Sequence, residues 1–159
     1  MIELIQAGNK DRELLWNLHQ KFLYEMTGYY ANEMDERGNI QFGDFDAYFT
    51  DPRRSALLIR HDGRLAGFAL VHPYSNLDET PDHVLAAFTV FPSLRRRHIA
   101  VQAAQAILTR YPGRWEIKYN EKNTAARRLW RKVSAPYGPR AVSLNAEETV
   151  LTFTAASSP

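Results

Sequence analysis

The sequence predicts an α/β fold of the α+β type, in which one mixed sheet carries helices on both faces. Two observations support this prediction of the fold class. Apolar runs of strand length alternate with stretches of helical periodicity, and the elements follow the order β-α-α-β-β-β-α-β-α-β-β. The 159 residues match the size of one domain, and 45% hydrophobic and 12% aromatic content is typical of a globular protein. We therefore expect a single domain over residues 1–155 and a polar tail at 156–159.

The first part of the chain predicts one strand and one long helix. Residues 2–6 alternate as in a short strand, and Asp11 can cap the helix that follows. The apolar face of this helix consists of Leu15, Leu18, Phe22 and Met26. Residues 27–51 are less regular, and we expect a short second helix near Phe45 within a loop.

A hairpin and a further strand come next. Residues 56–60 and 65–71 are apolar runs, and the Asp62-Gly63 pair between them is a strong turn signal. Residues 83–90 predict another strand, which ends shortly before a proline. Three strands therefore follow one another in the middle of the chain.

The remainder alternates helices and strands. Small and apolar residues recur with helical periodicity over 99–111, and residues 115–119 alternate like a half-buried strand. Asn123 can cap a second helix with apolar residues on one face and basic residues on the other. Two last strands are predicted at 140–144 and 149–154.

The turn before the helix at 99–111 is the most specific feature of the chain. The start of a helix leaves backbone N–H groups without partners and carries about half a positive elementary charge. Arginines beside such an end favour binding of a phosphate or pyrophosphate. The residues of this predicted anion site are Arg95, Arg96, Arg97, His98, Ile99 and Ala100.

Charge and composition exclude several classes of function. The net charge of +2 steers the protein only weakly toward nucleic acid, and the arginines occupy a turn rather than a continuous basic helix. We therefore expect no nucleic-acid partner, and nucleic-acid binding is the weakest of the alternative functions. The five histidines lack the spacing of metal ligands, so no metal is expected. Residues 25–51 form an acidic segment, and its cluster of acids over 33–46 would favour a cationic acceptor such as a polyamine, an aminoglycoside or a lysine side chain.

The chain also lacks features of membrane and secreted proteins. It has no cysteine, which excludes a thiol nucleophile and disulfides. No apolar run approaches the roughly 20 residues that a membrane helix needs. The N-terminal residues lack the pattern of a signal peptide. We expect a cytoplasmic protein without a membrane partner.

Two segments resemble motifs of the GNAT superfamily of acyl-CoA-dependent N-acetyltransferases. In that family the turn before the third helix follows the pattern Gln/Arg-x-x-Gly-x-Gly/Ala and holds the pyrophosphate of acetyl-CoA. Residues 95–100 match it at the first and last positions, with His98 in place of a glycine. The family motif Asn-x-x-Ala-x-x-x-Tyr, on a helix that lines the pantetheine arm, is similar to residues 123–130, with Trp130 in place of the tyrosine.

These departures have physical consequences. Histidine costs little at position 98 if the residue is already helical, whereas a left-handed conformation would strain it by about 1 kcal/mol. In many members of the family the tyrosine protonates the departing CoA thiolate. The indole N–H of Trp130 cannot supply a proton, so another group would have to do so.

The resemblance implies the acyl-CoA N-acyltransferase (GNAT) fold, a mostly antiparallel sheet of six to seven strands. It implies an enzyme that transfers an acetyl group from acetyl-CoA, as cosubstrate, to the primary amine of a small molecule or peptide without a covalent enzyme intermediate. A catalytically degenerate module that senses acyl-CoA remains the alternative, and a homodimer remains open. The expected acetyl-CoA residues are Phe88, Val90, Arg95, Arg96, Arg97, His98, Ile99, Ala100, Asn123, Ala126 and Trp130.

Candidates for chemistry and acceptor binding follow from the same resemblance. The candidates for the base that deprotonates the amine are Glu116 and Tyr119, on the strand that borders the acceptor cleft in the family; alternation turns their side chains to opposite faces. Tyr137, Tyr119 or water would have to protonate the thiolate. The expected acceptor-binding wall, which follows the first helix, consists of Glu25, Tyr29 and Tyr30.

Overall fold

Seven strands form a single sheet in a computed structural model that describes residues 1–156. Of the predicted tail, residues 157–159 lie outside the described residues. The strands are β1 (Ile2–Gln6), β2 (Ser55–His61), β3 (Arg64–His72), β4 (His83–Val90), β5 (Gly113–Asn120), β6 (Arg140–Ser143) and β7 (Glu148–Ala155). Their order across the sheet is β1-β2-β3-β4-β5-β7-β6, and every neighbouring pair except β4 and β5 is antiparallel. The predicted mixed, mostly antiparallel sheet is confirmed.

Helices cover both faces of this sheet, as predicted. They are α1 (Arg12–Met26), α2 (Ala47–Thr50), α3 (Ile99–Arg110) and α4 (Thr124–Ser134), with short 3-10 turns at Asn9–Asp11, Pro92–Leu94 and Ala135–Tyr137. Leu15 of α1 packs with Leu58 and Phe68 on one face. Leu57 belongs instead to the cluster that α3 and α4 cover on the other face, because successive residues of a strand point to opposite sides. Within the described residues, no helix has the length and apolar character needed to span a membrane.

Turn and cap residues in the sequence determine where most of the helices and strands begin and end. The hairpin turns at Asp62 and Gly63, whose φ angles of 50° and 79° are those that a tight hairpin requires. Asp11 differs from the prediction. It stands directly before α1, but its carboxylate accepts a hydrogen bond from the Gly8 N–H at 3.0 Å and so holds the preceding 3-10 turn rather than the helix.

The parallel pair β4 and β5 opens soon after it forms. The two strands are in register only over His83–Leu85 and Trp115–Ile117, and beyond these residues they separate. On the other side of β4 the register with β3 shifts, so that Ala86 is left without a partner between Leu85 and Ala87. The edge of β4 after Leu85 therefore faces a gap instead of a neighbouring strand.

Candidate active site

A cleft of about 240 Å³ fills the gap between β4 and β5. Its walls come from both faces of the sheet. Phe22 and Met26 of α1 line one side, and Ala126 and Trp130 of α4 line the other. The cleft therefore crosses the sheet, so that two molecules can meet in it from opposite sides.

The turn after β4 presents a row of unpaired backbone amides. Arg96 and His98 have φ angles of 64° and 61°, in the left-handed region. The first α3 amide that donates to a backbone carbonyl is that of Gln102, which bonds the His98 oxygen at 3.1 Å. Among the described residues, the amides of 99–101 have no such partner. Left-handed residues in a turn at a helix start, together with unpaired amides, are typical of a concave nest that favours an anion.

His98 occupies a conformation that favours glycine. Of the two conformations left open by the sequence, the structure has the left-handed one, at the residue directly before α3. A glycine would adopt this backbone geometry without strain. The cost to a histidine is about 1 kcal/mol.

Arg95 contacts protein groups rather than facing outward with its two neighbours. Its guanidinium makes a bidentate pair with Glu25 at 2.7 and 2.8 Å, and its Nε donates to the Val90 carbonyl at 2.9 Å. The hydrogen bond to Glu25, opposed by partial burial, raises the pKa of Arg95. This clamp ties the last turn of α1 to the end of β4. Arg96 and Arg97 are exposed beside the amides.

The expected pantetheine-side residues meet along one wall of the cleft. Asn123 caps α4, its Oδ1 accepting from the Ala126 N–H at 3.2 Å, and both residues line the cleft. Trp130 is 6% exposed, and its ring meets that of Phe88 edge to face at 4.9 Å. Val90 differs, because its side chain is buried in the core and only its carbonyl is engaged, by Arg95.

The three candidates for chemistry lie in different surroundings. Glu116 is 1% exposed and does not line the cleft, because its carboxylate is occupied by the Ser75 hydroxyl and by Asn76, whose N–H donates at 2.8 Å. Tyr137 stacks on Phe153 at 5.7 Å, away from the cleft. Tyr119 does line the cleft. Its hydroxyl oxygen accepts from Arg131 Nε at 3.1 Å, so its own proton remains free to be donated.

Of the expected acceptor wall, Tyr30 alone lines the cleft as the structure describes it. Glu25 is held by Arg95, and Tyr29 lies outside the lining. The Tyr30 hydroxyl donates to Glu148 Oε2 at 2.8 Å. Burial, and then the hydrogen bond to this carboxylate, raise the pKa of Tyr30 well above its usual value. The hydroxyl therefore stays protonated.

Three residues that the sequence did not single out complete this wall: Lys118, Asn120 and Glu148. Lys118 and Asn120 line the cleft, and Lys118 Nζ lies 3.2 Å from Glu148 Oε2. Burial alone would raise the pKa of Glu148, but hydrogen bonds from Asn145 and Tyr30 and the Lys118 charge lower it. The alternation of side chains along β5 could have identified two of these residues from the sequence, because it places Lys118 and Asn120 on the same face of the sheet.

The carboxylates of the acidic segment 25–51, all of which the structure describes, do not line the cleft, although Tyr30 of the same segment does. Asp46 contacts Arg12, and Asp51 accepts from the Tyr74 hydroxyl at 2.6 Å and from Arg53. These two carboxylates are therefore engaged within the protein.

Comparison with known proteins gives a consistent result. The sequence model of the acetyltransferase (GNAT) family matches residues 13–134. Three solved structures illustrate the similarity of fold. The ribosomal-protein-S18-alanine N-acetyltransferase of Escherichia coli has 13% identity and a TM-score of 0.62, over 100% of this chain and 97% of that one. An acetyltransferase from Thermus thermophilus has 17% identity and a TM-score of 0.65, over 97% of both chains.

The third is a PaiA N-acetyltransferase from Thermoplasma acidophilum, solved in complex with coenzyme A. It has 12% identity and a TM-score of 0.61, over 97% of this chain and 99% of that one. At such identities the similarity shows the fold. No curated protein matches the chain.

Proposed function

We propose, from the premise that this chain belongs to the acetyltransferase (GNAT) family, that it transfers an acetyl group from acetyl-CoA to a primary amine. The amine attacks the thioester directly, and no acyl-enzyme forms. The observation that carries the proposal is the cleft between β4 and β5, which runs beside residues Leu85–Phe88 of β4. The end of the same strand leads into the nest of unpaired amides. One elongated ligand can reach both.

The residues present fit the donor. Free amides at 99–101 and the exposed Arg96 and Arg97 would hold its diphosphate, because anions are stabilised at a helix start. Asn123, Ala126 and Trp130 would line its pantetheine arm. Beyond Leu85, the edge of β4 that faces β5 has no partner strand among the described residues. Backbone N–H groups on this edge are therefore available to the thioester carbonyl.

The reaction needs only modest help from side chains. Acetyl-CoA supplies an electrophilic carbonyl carbon; the C–N bond forms, the C–S bond breaks, the nitrogen gives a proton to solvent and the sulfur gains one. We assign the proton that the sulfur gains to Tyr119, which lines the cleft and whose hydroxyl accepts from Arg131 while its own proton is uncommitted. A thiol pKa near 8.5 makes the thiolate a tolerable leaving group at neutral pH.

Thermal and chemical unfolding with acetyl-CoA tests the donor assignment. Saturation at about a hundredfold over the dissociation constant should add roughly 2.7 kcal/mol to the free energy of unfolding. Arg96→Ala combined with Arg97→Ala should shrink this gain, whereas Arg64→Ala, at an exposed arginine of β3, should leave it unchanged. No gain in the wild-type protein would overturn the proposal.

Release of free thiol across an amine library tests the transfer. Turnover with any amine supports an enzyme. Stabilisation by acetyl-CoA without turnover would favour the catalytically degenerate module, which Trp130 in place of a proton-donating tyrosine makes the second candidate.

A further inference from the structure

We infer that the acceptor amine is an α-amino acyl group, in which the carbon next to the amine bears a carbonyl or carboxylate, as in a free amino acid or the first residue of a peptide. This inference rests on the proposed acetyl transfer and names its substrate class. Two observations carry it: an unpartnered amide in the wall of the cleft, and the absence of any base from the described residues that line it.

The amide belongs to Asn120, which is 3% exposed and lines the cleft. Its orientation is fixed, because its Oδ1 accepts a hydrogen bond from the Lys122 N–H at 3.0 Å. The Nδ2 atom is buried and has no hydrogen-bond partner among the described residues. Buried donors in proteins are nearly always paired, so this one points to an oxygen that a ligand brings.

The surroundings of Asn120 place it on the acceptor side. In the β5–β7 register it stands opposite Glu148, so the two side chains leave the sheet on the same face, together with that of Lys118. Tyr30 lies over this face and bonds Glu148. The Asn120 amide is close enough to oppose part of the rise in the Tyr30 pKa, yet it makes no hydrogen bond with that hydroxyl.

The charges in this wall also favour an acceptor that carries an oxygen over one that carries a second ammonium group. Within residues 1–156, Lys118 is the one Lys, Arg, Asp, Glu or His side chain that lines the cleft, and it is 37% exposed. Its partner Glu148 already holds Tyr30 and Asn145. A carbonyl oxygen satisfies Asn120, and a carboxylate would also meet the Lys118 charge. A diamine or polyamine would bring a further cation and leave the amide unpaired.

The lack of a base selects for an amine that is already neutral. In the part of the chain that the structure describes, no histidine, aspartate or glutamate lines the cleft. The α-amino group of a peptide has a pKa of about 7.7–8.0, so about a third of it is neutral at pH 7.5, whereas an alkylamine such as lysine, near 10.4, is neutral in about one molecule per thousand. Without a base, a peptide or an amino acid amide therefore has a large advantage in the concentration of its reactive form. A free amino acid lacks most of this advantage, because its own carboxylate stabilises the ammonium form, and it shares with peptides only the oxygen that Asn120 can bind.

Matched amines separate the two effects. Thiol release is followed with alaninamide, alanine and trialanine, and with isopropylamine and putrescine, which carry no such oxygen. Rates are expressed per concentration of neutral amine, which removes the pKa advantage. We expect kcat/KM for alaninamide to exceed that for isopropylamine by about tenfold or more, because the cleft loses a hydrogen bond with the latter. Preference for alanine points to free amino acids, and preference for alaninamide or trialanine points to peptides.

The variant Asn120→Asp tests the assigned residue. It keeps the oxygen that accepts from Lys122 and replaces the donor by a second oxygen. We expect KM for the preferred α-amino substrate to rise about tenfold, with isopropylamine changed by less than about twofold. Asn17→Asp, at an exposed position of α1, is the matched control and should retain the wild-type preference. Should Asn120→Asp not fold, the comparison of amines in the wild-type protein decides alone.

A failure of the proposed substrate class can be distinguished from a failure of the proposed acetyl transfer. Equal rates per neutral amine for alaninamide and isopropylamine, a preference for putrescine, or an equal loss for both amines in Asn120→Asp would overturn the substrate class while leaving acetyl transfer intact. Absence of thiol release with every amine would overturn acetyl transfer itself, and the substrate class with it.

Discussion

Protonation of His19 should destabilise the protein below pH 6.5. His19 is 2% exposed, neither ring nitrogen has a hydrogen-bond partner among the described residues, and the ring of Phe42 meets it edge to face at 4.3 Å. Burial lowers the pKa of His19 from 6.5 to about 4. As the pH falls the unfolded chain therefore binds this proton first. The stabilising contribution is complete above pH 6.5 and is lost as the pH falls toward 4.

The magnitude follows from the two pKa values. A difference of about 2.5 pH units corresponds to about 3.4 kcal/mol once both states are protonated, and about 2 kcal/mol of this is lost by pH 5. That is a large fraction of the stability of an ordinary domain.

Urea unfolding at pH 7.5 and pH 5.0, followed by tryptophan fluorescence, measures the effect. The comparison is between the wild-type protein and His19→Leu, which fills the same apolar site without a titrating group. Carboxylates titrate in both proteins, so the difference between their pH dependences isolates His19. We expect the variant to be at least as stable at pH 7.5, and to gain about 2 kcal/mol on the wild type at pH 5.0. Equal losses in the two proteins would refute the reasoning.

Three further substitutions test the site. His98→Gly should raise the free energy of unfolding by about 1 kcal/mol in urea because it removes left-handed strain, whereas His98→Ala, which keeps a Cβ, should not; equal effects would contradict the strain. Glu25→Gln should lower the free energy of unfolding by at most about 1 kcal/mol, because the side chains of the Arg95–Glu25 pair are 38% and 41% exposed. A double-mutant cycle with Arg95→Gln should give a coupling energy no larger than this. Tyr119→Phe should lower kcat about tenfold or more at pH 7 with little change in KM, and an unchanged kcat would exclude it as the proton donor.

Local patterns in the sequence were sufficient for the elements of the fold. The strand predicted at residues 83–90 has those bounds, and the hairpin turns at the predicted pair of residues. Such features depend on neighbours a few positions away, through alternation, helical periodicity and turn chemistry. The same holds for the nest before α3 and for the Asn123 cap, which are contained within single short segments.

The partners of individual charged side chains could not be obtained in this way. The motif predicts Arg95 at the phosphate, yet Glu25, 70 positions earlier, takes its guanidinium. The resemblance predicts Glu116 near the reacting groups, yet the Asn76 and Ser75 loop buries it. In both cases the competing group is brought near by tertiary packing, and a sequence pattern carries no measure of that distance.

For the cleft wall beside Tyr30, the strand register was the quantity that the sequence did not supply. Tyr30 and Glu148 are 118 positions apart, and no spacing rule connects them. Once Asn120 is known to stand opposite Glu148, however, alternation alone assigns Lys118 to the same face, and the residues of the cleft wall beside Tyr30 follow from it. A slip of one residue in this pairing would turn Glu148 to the α4 face and remove the acceptor of the Tyr30 hydrogen bond. The chemistry of the cleft therefore depends on the β5–β7 register more than on the motif that first identified the fold.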